Sequence, residues 1–308
     1  MTEPDTRSSP RWRSGVQLAL GMIVFGSATP VSKLVGDAMP PWTAALMRVA
    51  IGALVLLPFA AARWSGVRDM DRGDWLRVAL IALFGMFGFT VLMLYGMRLV
   101  SGVAGAVVMS TAPAVTAAGA VLFLGEPPTW RRGTAIALAV AGVLVLHLGG
   151  GTGSGDGPGS WLGVLLVLGA VLCEACYTLL GKRVTEDVDP LTVAFLAAAL
   201  AVPAFVPFAV WIAEPLELGS VGARGWAALA WYGAGTLALG SWLWYSGVAR
   251  APGSVAAGFM GLMPTSALVL SYVLLGEPFR WIHLLGFATV FAGVLLIAWE
   301  HGRAGREE

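Results

Sequence analysis

Long apolar runs alternate with short polar connections along this chain, and each run is close to the length a helix needs to cross a bilayer. A helix rising about 1.5 Å per residue spans the hydrocarbon with about 20 residues. Ten windows meet that requirement, at 15–35, 41–61, 75–97, 101–124, 131–149, 161–181, 190–212, 225–248, 253–275 and 281–299. Lipid offers the backbone no hydrogen-bond partners, so every window is expected to be helical. The connections from Asp37 to Pro41, Trp64 to Asp74, Gly125 to Thr129, Val184 to Pro190 and Glu214 to Arg224 carry turn residues and leave no room for a soluble domain. A Gly/Ser/Asp-rich stretch falls between the fifth window and the sixth. The expected organisation is a tail over 1–14, a five-helix unit over 15–149, a flexible linker over 150–160, a second five-helix unit over 161–299 and a tail over 300–308. The first apolar run is too long for a signal-peptide core and is read as a retained helix.

Composition agrees with that pattern: 57% of the 308 residues are hydrophobic, 12% are charged, and the mean hydropathy is +0.79. A soluble domain could not bury so much apolar surface. The net charge of +1, with basic residues scattered at segment ends, argues against a nucleic-acid partner. Lys and Arg are unevenly divided between alternate connections. One set holds Arg7, Arg11, Arg13, Arg63, Arg68, Arg72, Arg77, Arg131, Arg132, Lys182, Arg183, Arg250, Arg303 and Arg306, and the other only Lys33, Arg98, Arg224 and Arg280. That bias puts both termini in the cytoplasm of a multi-pass protein of a bacterial-type inner membrane.

The chain also repeats itself. Leu122 to Trp130 returns as Val273 to Trp281, and Ala141 to Leu144 as Ala292 to Leu295; the same shift of 151 relates Pro113 to Pro264, Met109 to Met260, Gly102 to Gly253 and Gly96 to Gly247. Near the start of each copy the shift is 149, pairing Pro41-x-Thr43 with Pro190-x-Thr192. Five helices per copy is an odd number, so the second copy enters the membrane from the opposite side. The expected fold is an all-α integral membrane protein of ten transmembrane helices arranged as two inverted five-helix repeats. That architecture serves alternating access around a site near the midplane.

These features resemble the EamA-domain family of the drug/metabolite transporter superfamily. The resemblance rests on Phe25-Gly26-Ser27, on Arg48, on Val100 to Val103 leading through Ser110-Thr111-Ala112-Pro113 to Leu124-Gly125-Glu126, and on Gly253 leading through Pro264 to Gly276-Glu277. It covers nearly the whole chain. It implies a central cavity lined mainly by helices 1, 3, 4, 6, 8 and 9, and export of amino acids or other small metabolites. Ala197 stands in the second half where Arg48 stands in the first, so the arginine has no symmetric counterpart.

Charges inside spans are costly, about 2.5–3.5 kcal/mol at a helix centre, and mark candidate sites. Arg48 is expected about 12 Å along its helix from the outer face and Glu174 about 20 Å along its own, within an arginine's reach if the two helices are neighbours. Glu174 is a candidate to bind a substrate amine or couple protons, and Arg48 to orient a carboxylate; the competing reading of Arg48 is a side chain snorkelling to the interface. Helix 1 carries Ser27, Thr29, Pro30 and Lys33. Pro30 removes a backbone hydrogen bond, which makes either a broken-helix polar site or a kink re-satisfied by hydroxyls. Pro113 and Pro264 are candidate hinges or static kinks. Tyr95, Met109, Ser110, Tyr177, Trp242, Tyr245 and Met260 complete the candidate lining, with packing as the alternative for the aromatic residues. Trp42, Trp75, Trp130, Trp161, Trp226 and Trp281 lie at span ends, as an interfacial belt would place them.

Glu126 and Glu277 each precede a proline and a new helix, where an acid favours the helix N-terminus. Cys173 and Cys176 share a helix face and read as small hydrophobes, not as a metal or redox pair. No Gly-x-x-x-x-Gly-Lys-Ser/Thr loop occurs, so ATP drive within the chain is not expected. A membrane enzyme acting on lipid or isoprenoid substrates would need a constellation of carboxylates or histidines, whereas His147, His283 and His301 are far apart in sequence. A receptor or scaffold has no use for inverted repeats. The sequence therefore reads as a non-enzymatic permease without cofactor or metal, whose partners are a small-molecule substrate and the bilayer; its oligomeric state is not legible.

Overall fold

A computed structural model describes residues 11–125, 128–149, 158–184, 188–212, 219–250 and 259–304. All regular structure among these residues is helical. Seven helices are long and apolar enough to cross a membrane: Trp12–Ala38, Pro41–Ala61, Arg72–Leu99, Gly102–Phe123, Trp130–Leu148, Ser160–Gly181 and Pro190–Trp211. Helix also runs unbroken from Ala223 to Val248, and shorter apolar helices cover Leu262–Leu275 and Trp281–Ile297. Glu126, Gly253 and most of the expected linker lie outside the described residues.

Interruptions subdivide these helices and fix where polar groups can lie. The first comprises α1 (Arg11–Gly26) and α2 (Ala28–Ala38), joined at Ser27. The third comprises α5 (Arg72–Ile81), a wider π-helical segment (Ala82–Gly88) and α6 (Phe89–Leu99), with α4 (Ser65–Arg68) a single turn before it. The fourth comprises α7 (Gly102–Met109) and α8 (Ala112–Leu124). The uninterrupted helices are α3 (Pro41–Ala61), α9 (Trp130–Leu148), α10 (Pro158–Val184) and α11 (Pro190–Trp211). A second π-helical segment (Trp231–Leu239) joins α12 (Ala223–Ala230) to α13 (Gly240–Val248), and α14 (Leu262–Leu275) and α15 (Trp281–Ala304) complete the chain.

Local chemistry explains most of these ends. Pro41 and Pro190 open α3 and α11 at the first helical position, where a missing N–H costs nothing. Asp71 and Asp74 form a reciprocal cap on α5, and Ser101 caps α7 through the Ala104 N–H at 3.1 Å. Gly125 and Gly276 end α8 and α14 in the left-handed conformation, at φ 68° and 65°, which a residue without Cβ adopts freely.

The largest helix contacts are between α9 and α15, α3 and α11, α10 and α6, and α1 and α13. Helices from before the 150–160 stretch thus pack mainly on helices from after it. The core runs through this interface, where Val49, Leu56, Ala197, Phe205 and Tyr232 are all buried. Large apolar side chains such as Leu54, Leu122, Phe123 and Trp211 face outward, as expected of a surface solvated by lipid.

Asp189 illustrates how connections are secured. Its carboxylate accepts the Leu191 N–H at 3.1 Å, capping α11, and pairs with Arg63 at 3.6 Å. Loss of a cap costs about 1 kcal/mol, whereas a half-exposed ion pair contributes about 0–1 kcal/mol. Asp189→Ala is therefore expected to lower the melting temperature of the purified protein more than Arg63→Ala does.

Candidate functional site

The polar interior is built around the two π-helical segments. A π turn widens the helix by one residue and redirects the side chains around it, and such segments recur at functional sites. The second segment lies against α3, with Gly233 facing the Arg48 carbonyl, and it presents Tyr232 to the Arg48 side chain. The first lies against α10, with Gly85 facing the Tyr177 ring and Gly88 facing the Cys173 sulfur. Each segment thus meets one of the two charge-bearing helices.

Arg48 is 6% exposed. Its guanidinium lies 4.2 Å from the centroid of the Tyr232 ring and 5.6 Å from that of Phe89, and Nη1 donates to the Thr90 hydroxyl. Among the described residues, Nε has no hydrogen-bond partner and no carboxylate forms an ion pair with Arg48; the ion pairs there are Lys33 with Asp37, Arg63 with Asp189 and Arg77 with Asp74. Buried cations normally have a counter-charge, because desolvation costs several kcal/mol that cation–π contacts of about 0.5–2 kcal/mol offset only in part. The snorkelling alternative fails on geometry: the side chain is turned into the protein, onto Tyr232.

Tyr232, fully buried, has no well-directed hydrogen bond on its hydroxyl, although Ser32 faces it. Neither Tyr232 nor Thr90 was among the residues singled out from sequence. One signal was available: Arg48 and Tyr232 lie the same number of residues from the start of windows 41–61 and 225–248.

Glu174 lies in α10 with Oε2 buried and without a hydrogen-bond partner. One turn along, the Tyr177 hydroxyl is within hydrogen-bonding reach of Tyr245 on α13. Glu174 and Arg48 do not form an ion pair, so the structure separates two charges that helix depth alone would have allowed to meet. They form two polar groups, Arg48–Thr90–Tyr232 and Glu174–Tyr177–Tyr245.

The break in the first helix falls at Ser27, three residues before Pro30. The Ser27 hydroxyl donates to the Val24 carbonyl at 2.6 Å and accepts from Trp231 Nε1 at 2.9 Å. The interruption is thereby tied to the second π-helical segment. Pro30 lies in the first turn of α2, where its missing N–H is tolerated, and Thr29 is buried beside it. Lys33 donates to the Met97 carbonyl at 3.0 Å as well as pairing with Asp37.

Pro113 and Pro264 likewise fall in the first turn after an interruption. Ser110 and Thr111 separate α7 from α8 and donate to the Val107 and Val108 carbonyls at 2.5 and 2.7 Å, and Met260 and Gly261 precede α14. Met109 is buried, whereas Met260 is 46% exposed. Trp242 is likewise exposed, at 37%. Tyr95 packs edge-on against Trp42 with centroids 5.9 Å apart; Trp42 in turn stacks on Phe208 at 4.6 Å, and Phe87 on Phe205 at 4.5 Å. Trp42 is therefore a correction to the expected interfacial belt: it fills the α3–α11 interface, where aromatic area is buried between helices. Cys173 and Cys176 are free thiols, and the described residues contain no cluster of three metal-ligating side chains.

Packed apolar helices with lipid-facing side chains and interrupted segments lining a polar interior define a multi-pass membrane protein of the transporter type. The chain belongs to the EamA-like transporter family, whose model matches residues 13–148 and again 161–299. It is 30% identical over 281 residues to the uncharacterized transporter YetK of Bacillus subtilis, covering 91% of this chain and 85% of that protein. It is 27% identical to a probable terminal-alkyne amino-acid exporter of Streptantibioticus cattleyicolor, covering 91% of each. A protein of solved crystal structure shares the fold at a TM-score of 0.66 and 17% identity, over 94% of this chain and 98% of that one.

Proposed function

We propose that this protein is a secondary carrier that exports amino acids or related carboxylate-bearing metabolites by alternating access. In this reading ten transmembrane helices form two inverted five-helix repeats, over 15–149 and 161–299, with both termini in the cytoplasm. The carrying observation is the buried Arg48 guanidinium, held against Tyr232 and Thr90 with no carboxylate among the described residues paired to it. A solute carboxylate supplies the missing charge. A bound amine is met by Glu174, which also serves as the proton-coupling group, with Tyr177 and Tyr245 beside it.

Paired features separated by the repeat shift support the duplicated arrangement. These are the two π-helical segments, the prolines opening α3 and α11, and the left-handed glycines ending α8 and α14. Pro113 and Pro264, each just past an interruption, serve as hinges where α8 and α14 swing relative to the segments before them. The printed description of the Streptantibioticus relative as an amino-acid exporter supports the substrate class.

Everted membrane vesicles loaded by overexpression test this reading with a panel of labelled amino acids, each with and without an imposed pH gradient. Saturable accumulation of one class, stimulated by the gradient, is expected. Glu174→Gln is expected to cut the gradient-driven rate by about tenfold or more, the scale of losing one charged contact of about 1.4 kcal/mol or above. An unchanged rate and pH response in that variant would remove Glu174 from the mechanism.

A further inference from the structure

Glu277 reaches across to the first half of the chain. Its carboxylate accepts the backbone N–H groups of Gly102, through Oε1, and of Val103, through Oε2 at 3.0 Å. These are the first two residues of α7, a helix that belongs to the other half of the chain. The Ser271 hydroxyl of α14, which donates to the Ala267 carbonyl of its own helix at 2.7 Å, also lies 3.1 Å from the Gly102 carbonyl, so the second half meets both peptide groups flanking Gly102. The approach is close: a Cβ at position 102 would lie 2.0 Å from Leu275 Cδ1, which would have to rotate away, and 3.1 Å from Glu277 Oε1.

We propose that the Glu277 carboxylate is a latch that holds one face of the protein closed by tying the start of α7 to the end of α14, and that it must release for this face to open. The bond is strong for its size, because an ionised carboxylate meets two N–H groups at the positive end of a helix. It is also breakable, since Glu277 is only half-buried and water can solvate both sides once they part. An ordinary cap is made within one segment, and motion of the two halves would leave it intact. This one spans the two family-matched units, so any separation of α7 from α14 at this end breaks it.

Weaker ties share the same face. Arg224, at the start of α12, donates to the Leu274 carbonyl of α14, and Lys33, near the end of α2, to the Met97 carbonyl of α6. Each of these is a single side chain on a carbonyl. Of these three ties only Glu277 engages two donors, which makes it the contact whose loss most favours opening.

The test reads opening directly and does not depend on any solute being transported. Val35 is fully buried near the end of α2. In a background with Cys173 and Cys176 replaced by serine, Val35→Cys is exposed to a membrane-impermeant maleimide added from the face at which α7 begins. Glutamine can offer only one acceptor oxygen and turns an NH₂ toward the second N–H. Glu277→Gln is therefore expected to raise the labelling rate by about tenfold, the scale of losing one charge-assisted bond. Gly102→Ala, which displaces the end of the Leu275 side chain and crowds Glu277 Oε1, is expected to raise it by a smaller factor, and Glu277→Asp, if glutamine impairs folding, to give an intermediate rise. Labelling unchanged in all three variants, with a lowered melting temperature, overturns the latch and leaves a purely structural cap. Loss of transport with unaltered labelling bears on the carrier reading and also counts against the latch.

Discussion

Arg48→Met is expected to abolish exchange of carboxylate-bearing solutes while leaving the melting temperature of the purified protein unchanged or raised. Most buried charges cannot be removed so cheaply, because deleting one member of an ion pair strands the other. Among the described residues Arg48 has no such partner. The substitution loses the hydrogen bond to Thr90 and the contact with the Tyr232 ring, together about 1–3 kcal/mol. It also removes a desolvated cation that costs about 2.5–3.5 kcal/mol to place within the membrane, and methionine refills much of the volume. The two sides nearly cancel for folding. For a bound carboxylate they do not cancel: loss of a desolvated charge contact costs about 2–5 kcal/mol, or roughly thirty- to several-thousand-fold in affinity. Arg48→Lys should recover only part of the exchange, since an ammonium lacks the planar fork that serves Thr90 and a carboxylate together. A sharp fall in melting temperature with transport retained would instead make Arg48 a structural tie between α3 and the second π-helical segment.

Gly26→Ala is expected to be the most damaging single methyl group in the protein. At the end of α1, a Cβ on Gly26 would lie 2.0 Å from the Ser266 hydroxyl and 2.4 Å from the Met263 carbonyl of α14. Ser266 could rotate away, but Met263 presents backbone, so the helices themselves must separate. Overpacking of this kind costs about 1–3 kcal/mol and more where backbone must move, and close approach of small residues is a main source of helix association in lipid. Thermal stability followed by size-exclusion chromatography should fall by several degrees, or the monodisperse peak should vanish. Gly133→Ala is the control: that glycine is exposed in the first turn of α9 with nothing within 4 Å of a new Cβ. Alanine there should stabilise slightly through helix propensity, by up to about 1 kcal/mol. Equal behaviour of the two variants would contradict the crossing of α1 and α14.

Hydrophobic windows located the apolar helices well because the physics behind them is one-dimensional: length and polarity along the chain decide whether a segment is stable in lipid. Breaks within helices were less legible. Pro30 signalled an interruption in the first helix, but the chain broke at Ser27, because proline is comfortable in the first turn of the segment that follows a break. The π-helical segments left no trace in hydropathy, which is blind to one extra residue in a turn. Three-dimensional partners were the least accessible. Trp42 lies at the end of its span as an interfacial tryptophan would, and only the approach of Phe208 and Tyr95 distinguishes the two settings. Glu277 reads locally as a cap for the next helix, yet its acceptors are used 175 residues away. Arg48 was visible as a costly charge, while Tyr232 and Thr90, which hold it, are ordinary residues whose significance comes from position alone.

The most direct test of the central claim is counterflow by the purified protein in liposomes, comparing labelled amino acids with the corresponding amines that lack the carboxylate. A carrier organised around Arg48 exchanges one class of amino acid saturably, discriminates against the matched amines by at least about tenfold, and loses that discrimination together with exchange in Arg48→Met. Equal exchange of amines and amino acids, or exchange that survives Arg48→Met, would contradict the account.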